Sequence, residues 1–497
     1  MSYPRVSSRC YRLRDPIDVN SVRNGSESVD SHRTKDAKGG SSAAGNVQGG
    51  SLSRGSEGRL PGSWLLSFAW DKTLATIPMK FRTRMIARYA PLLTLLLAYF
   101  FLTVLMNLMF VVYGGGIAAG SVDDFSISTF PVQTLGYWLL LFLPFLIVPP
   151  VAIFSRHVLL QRARNLAERL PEFRLRDYLF ITGICYAIAV YGMYRSDAWE
   201  LLWSGTDAIS AVFARFELLD RLQFFERAVL QSVLVFLTLY SLVRALRSQE
   251  VIWLLLSVVN LVAMTILLVS LNMKWPVVVL YGGIVASTAL FGKHRVIQVP
   301  IATIAMICVY FLVATVVLRI PTVQGTVKAA ATSSPFLAVS GLLRMALPYP
   351  FYYQTFTDEG PVCGTILDRV ARRHNPCQPS LLIYQRMFKD DGFAGFGTAP
   401  AAFHITGYAL NGWVGAIIET VLAGIVIGAF MAVPVNLSAA SGTVVVMGIV
   451  SAYFFSQLPF EGPVVYDHGL LWWLLLIVGY ALLRHAFWPL KSGAPEV

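Results

Sequence analysis

The stretch DGFAGFGTAPAAFHITGYALNGWVGAIIE, residues 391–419, runs from a glycine-rich polar approach into an apolar segment. Glycines 392, 395 and 397 let the backbone come close to a ligand or to a neighbouring helix. His404 then stands at the edge of the apolar segment and Glu419 falls inside it. If 404–419 is one helix, His404, Tyr408, Gly415 and Glu419 lie within about 60° of each other at 100° per residue. Gly412 and Gly415 thin the same neighbourhood, which opens space or permits close helix packing. This reading puts His404 at the membrane mouth, where its basicity can be tuned for general-base work. An ionisable residue inside a span, such as Glu419, is a functional candidate by default. A lone His more often serves packing. The glycine-rich lead-in, the co-facial Glu419 and the nearby arginines favour chemistry.

Outward from this stretch the chain is overwhelmingly apolar. Of its 497 residues 56% are hydrophobic and only 14% are charged, and the mean hydropathy is +0.60. A soluble domain carries about 25% charged residues, so the expected fold class is an all-α integral membrane protein. About 20 apolar residues cross the hydrocarbon core. Such runs fall near 90–113, 133–154, 178–194, 228–246, 251–272, 275–292, 297–318, 408–432, 439–457 and 469–487. They predict about ten transmembrane helices, with one large loop between spans seven and eight.

Residues 1–60 are rich in Ser, Gly and Arg without hydrophobic period, so a disordered cytoplasmic tail is expected there. No secretory signal is expected, because the first long apolar run starts near Tyr89. Residues 61–88 mix aromatics with Lys80, Arg82, Arg84 and Arg88, which suits either an interfacial helix or a basic flank. The organisation then reads as a scaffold at 89–318, an extracytoplasmic loop at 319–405, three spans at 406–490 and a short cytoplasmic tail at 491–497.

Loop charge sets the orientation. Arg156 to Arg176 follow span two, Arg244 and Arg247 span four, Lys293 to Arg295 span six, and Arg484 to Lys491 span ten. Alternate loops are basic, so both termini are expected in the cytoplasm and the long loop outside. The net charge of +12 is explained by these loops and the basic N-terminal region rather than by nucleic-acid binding.

The long loop supplies the remaining candidates. Arg369, Arg372 and Arg373 form a cluster that suits an anionic ligand, since guanidinium binds phosphate oxygens in bidentate fashion. A solvated face against anionic headgroups fits the cluster equally. Arg344 lies within an apolar run, where an unpaired charge is costly. Arg319, at the end of span seven, suits either ligand binding or snorkelling. Tyr352 and Tyr353, in a run of tyrosines and prolines, suit stacking on sugar rings or an aromatic belt. Cys363 and Cys377, with thirteen residues between them, can close a disulfide around the arginine cluster in an oxidising compartment, or stay free. No Cys or His spacing typical of zinc occurs, and neither metal nor cofactor is expected.

The late outward loop, its arginines, and a His followed by the glycine-rich 407–416 run together resemble the oligosaccharide repeat-unit polymerases (Wzy-type). More distantly they resemble the O-antigen ligases, in which a His precedes a Gly by a spacing that His404 and Gly415 match. The resemblance implies a metal-independent glycosyltransferase of a bacterial inner membrane. It would polymerise repeat units carried on undecaprenyl diphosphate into a surface polysaccharide. His404, or Glu419 through it, would deprotonate the acceptor hydroxyl. Arg344 with Arg319 or the Arg369, Arg372 and Arg373 cluster would meet the departing diphosphate. A flippase and a chain-length regulator would be partners. Two rivals stand beside it. One is a polyprenyl-phosphate-sugar transferase using Asp123 and Asp124 in the first outer loop; the other is a transporter of polysaccharide or lipid-linked sugar.

Overall fold

The computed structural model describes residues 79–112, 134–200, 217–271, 274–312, 346–361, 379–387, 398–466 and 468–487. Among these residues every regular element is helical. A first helix, α1 (Met79–Tyr99), continues through a π-helical turn (Phe100–Val104) into α2 (Leu105–Val112). Next come α3 (Leu135–Arg169), α4 (Leu175–Arg195) and α5 (Phe224–Ala228), the last leading by a second π turn (Val229–Val233) into α6 (Leu234–Ser248). The chain goes on through α7 (Val251–Ser270), α8 (Lys274–Phe291) and α9 (Arg295–Leu312). Two short helices, α10 (Pro348–Asp358) and α11 (Pro379–Met387), precede α12 (Phe403–Ala432) and α13 (Ala439–Phe455). A last pair, α14 (Glu461–Val465) and α15 (Leu470–Phe487), completes the described chain.

Among the described residues seven helical segments are long and apolar enough to cross a membrane, and parts of α8 and α9 and the whole of α13 are shorter apolar helices. Large apolar side chains stand exposed along them, among them Leu146 at 61%, Phe154 at 69% and Leu482 at 65%. In water such belts would drive aggregation; against lipid they are the natural surface. This is the architecture of an α-helical membrane protein.

The helix ends sort onto two faces. On one, Arg88 of α1, Arg164 of α3, Lys293 between α8 and α9, and Asn436 between α12 and α13 line a single cavity. On the same face Glu172, between α3 and α4, pairs with Arg244 of α6 and accepts from the Ala439 backbone N–H at 2.8 Å. Arg484 of α15 donates to the Glu172 carbonyl at 3.1 Å, and Arg247 to the Asn436 carbonyl at 3.0 Å. On the other face Ser232 donates to the Gly469 carbonyl at 2.8 Å, joining the starts of α6 and α15. Arg195 there pairs with Glu226 at 2.7 Å. The alternation of basic connections in the sequence is therefore an alternation of faces in space.

The long helices α3 and α12 pack through small residues. A methyl on Gly424 would stand 2.8 Å from Val151, and one on Gly428 2.5 Å from the Ala152 carbonyl oxygen. Close backbone approach at small-xxx-small spacing is how helices associate where no hydrophobic effect drives them together.

Candidate functional site

The helix carrying His404 is not continuous. Asn411 has φ −144° and ψ 25°, and Gly412 has φ 61° and ψ −150°. The Gly412 conformation is essentially reserved for glycine. The two halves fold back on each other about this break. A Cβ built on Gly407 would lie 2.6 Å from the Gly415 carbonyl oxygen and 3.0 Å from Cδ of Glu419. In a straight helix residues twelve apart are separated by about 18 Å. Residues 403–410 thus form the short arm of a re-entrant hairpin, and Gly407 and Gly415 are the bare surfaces on which its arms meet.

This corrects the sequence reading in two respects. Glu419 approaches the short arm through the fold-back, not by sharing a helical face with His404. His404 also lies deep in the helix bundle and not at a mouth. Its neighbour Phe403 packs in one cluster with Leu92, Leu95, Val148, Ala152, Ala423 and Ile427, residues from the interiors of three long helices. The physical reason is the Asn-Gly pair, a turn signal set between two apolar stretches that are each compatible with helix.

His404 is fully buried. Its Nε2 is 3.0 Å from the Tyr99 hydroxyl, and the rings meet edge to face at 5.1 Å. The Tyr99 hydroxyl also donates to the Leu141 carbonyl at 2.9 Å. A phenol has one proton to give. With that proton on the Leu141 carbonyl, Nε2–H donates to the Tyr99 oxygen and Nδ1 carries the imidazole lone pair. Among the described residues Nδ1 has no hydrogen-bond partner. The tyrosine thus holds the orientation of the His404 ring.

Above the short arm, α10 closes the site with aromatic side chains. Tyr349 donates to the Tyr137 carbonyl at 2.5 Å, and Tyr137 to Asn107 at 2.9 Å. Tyr352 donates to the Ala399 carbonyl at 3.1 Å. Tyr353 stacks on Tyr408 with ring centroids 5.8 Å apart, and Tyr408 meets Trp413 edge to face at 5.7 Å. Burial pushes the Tyr349 and Tyr352 phenols well above their ordinary range, so both remain protonated donors. Tyr352 and Tyr353 were expected as open platforms or belt residues; here their rings are buried against protein. Each found its partner far away in sequence, which residue spacing does not reveal. An ion pair between Arg386 and Glu359 at 2.6 Å ties α11 to the end of α10.

Of the candidates, the fold brings His404, Glu419, Tyr352 and Tyr353 into the region of the hairpin and α10. Arg319, Arg344, Arg369, Arg372, Arg373, Cys363, Cys377, Asp123 and Asp124 lie outside the described residues. Sequence reasoning missed Tyr99 and Asn107, buried polar residues within an apolar run, and Gly424 and Gly428, whose spacing was visible.

Fold and site together define an α-helical membrane protein with a folded-back helical hairpin whose short arm carries the buried His404 and meets Glu419 at Gly407. Comparison of the chain with family models, curated proteins and solved structures gives no match.

Proposed function

We propose that this chain is a membrane glycosyltransferase that joins lipid-linked oligosaccharide repeat units at the outer face of a bacterial cytoplasmic membrane. The reading takes the apolar helices as ten spans with both termini in the cytoplasm, and residues 319–405 as facing outward. The observation that carries it is the oriented Nδ1 of His404, held by Tyr99 at 3.0 Å on the other ring nitrogen.

In this mechanism the acceptor hydroxyl passes its proton to Nδ1 while its oxygen attacks the anomeric carbon of the donor glycan. The bond from that carbon to the undecaprenyl diphosphate oxygen breaks, and its electron pair leaves with the diphosphate. Glu419, against the same arm, offsets the imidazolium charge. Arg344 with Arg319 or the Arg369, Arg372 and Arg373 group meets the diphosphate. Tyr352 and Tyr353 brace α10 against the hairpin and its lead-in.

The test is reconstitution of the full chain in vesicles with lipid-linked repeat units. A ladder of polymer with wild type and none with His404→Gln supports the reading. An unchanged ladder with His404→Gln contradicts it.

A second reading has its own observation. A broken helix with a buried acidic residue between its arms is how many transporters build an ion-coupled site, and here the arms that Gly412 separates meet where Glu419 approaches Gly407. Flux of lipid-linked sugar driven by a proton gradient, lost in Glu419→Gln and unaccompanied by polymer, would favour transport.

A further inference from the structure

The cavity on the basic face lies at the opposite end of the helices from α10 and takes no part in the chemistry above. It measures about 980 Å³ and is bordered by Arg88, Arg164, Lys293 and Arg295, with no acidic residue in its lining among the described residues. Its walls include Leu160, Leu290, Met431 and Leu437. Two of the cations are already engaged. Arg164 pairs with Glu168 at 3.0 Å, and Arg295 donates to the Gly292 and Leu290 carbonyls at 3.1 and 2.9 Å. Arg88 and Lys293 are exposed and come from elements far apart in sequence.

We propose that this cavity seats the phosphate of an anionic phospholipid, with Arg88 and Lys293 as the phosphate-binding cations and the leucines as the wall for its glycerol and upper acyl chains. Arg88, Lys293 and Arg295, which pair with no carboxylate among the described residues, stand around one depression and give a local field that favours an anion. The leucine wall offers contact that a free phosphate ion cannot use. Leu160 and Leu437 are themselves 40% and 43% exposed, so the wall is open to a lipid. Arg295 contributes charge while keeping its bonds to backbone carbonyls, and Arg164 stays paired with Glu168. A basic cluster at a membrane interface, set between helices, is the usual chemistry of headgroup recognition.

The experiment compares retention of phosphatidylglycerol and phosphatidylcholine by the purified full chain in neutral detergent, read by native mass spectrometry. Wild type is expected to prefer phosphatidylglycerol. The double variant Arg88→Gln/Lys293→Gln, which removes two exposed side chains with no internal bond among the described residues, is expected to lose about tenfold of that preference. Arg176→Gln, an exposed cation outside the cavity, serves as the control and should leave the preference intact. An equal loss in Arg176→Gln, or none in the double variant, would show diffuse attraction and overturn the assignment. Displacement of the lipid by millimolar inorganic phosphate alone would also overturn it, because the site would then read a free anion.

Discussion

The Tyr99 hydroxyl bridges two partners on different helices, donating to the Leu141 carbonyl at 2.9 Å and accepting from the His404 Nε2–H at 3.0 Å. One phenol therefore joins α1 and α3 to the short arm of the hairpin and decides which ring nitrogen carries the lone pair. Tyr99→Phe removes the shared oxygen and leaves a buried carbonyl and a buried N–H without it. Loss of about 1–3 kcal/mol is expected, the usual size for orphaned buried polar groups. Thermal unfolding in detergent measures it. A double-mutant cycle with His404→Ala should return a coupling above about 0.5 kcal/mol, whereas simple additivity would mean the two side chains act separately.

Gly412 holds a conformation that a side chain resists, with φ 61° and ψ −150°. Gly412→Ala should cost about 1–3 kcal/mol in stability. Gly407→Ala should be at least as damaging, since the new methyl would meet the Gly415 carbonyl oxygen at 2.6 Å. Gly479→Ala is the counterexample. It sits inside α15 with nothing within 4 Å of the added carbon, and should be neutral or stabilising by up to about 1 kcal/mol. Comparing melting temperatures of the three variants tests the hairpin directly.

The α3–α12 contact predicts a position-specific pattern. Gly428→Val would push into the Ala152 carbonyl and Ser155, and should abolish monodisperse protein on size exclusion. Ile425→Val, at a site 41% exposed on the same helix, should elute as wild type. If both variants behave alike, the helices do not depend on this close approach.

Glu172 receives Arg244 and the first N–H of α13. Glu172→Gln retains an acceptor but loses the charge. The carboxylate is partly solvated, so a modest loss of about 1 kcal/mol is expected. Glu168→Gln, which breaks only the exposed pair with Arg164, should change the melting temperature little. A larger effect at Glu168 than at Glu172 would contradict the network described for this face.

Helical membrane architecture and the alternation of faces were readable from the sequence because each rests on a local quantity. Apolar length marks a membrane-crossing helix, and arginine between runs marks a face. Arg244, Arg247 and Arg484 indeed meet around Glu172 and the α12–α13 turn. The hairpin was not readable from periodicity. Both of its arms are apolar, so the pattern of residues 403–432 is the same whether the helix is straight or folded back. The clue was Asn411-Gly412, a two-residue signal inside an otherwise helical run. The burial of Tyr352 depended on Ala399, 47 residues away, and no local pattern encodes such a partner. His404 was identified as a candidate from its neighbours in sequence, but the hydroxyl that orients it is 305 residues distant.

The proposed function makes His404 the base of a glycan-joining reaction. The most direct measurement is glycan gel analysis of a null strain complemented with wild type, His404→Ala or Asp124→Ala, each first shown to reach the membrane at normal level. His404→Ala is expected to lose long polymer while single repeat units are still made, and Asp124→Ala to keep the wild-type ladder. Full-length polymer from His404→Ala, with a shortened repeat unit from Asp124→Ala, would contradict it and place the chemistry in the first outer loop.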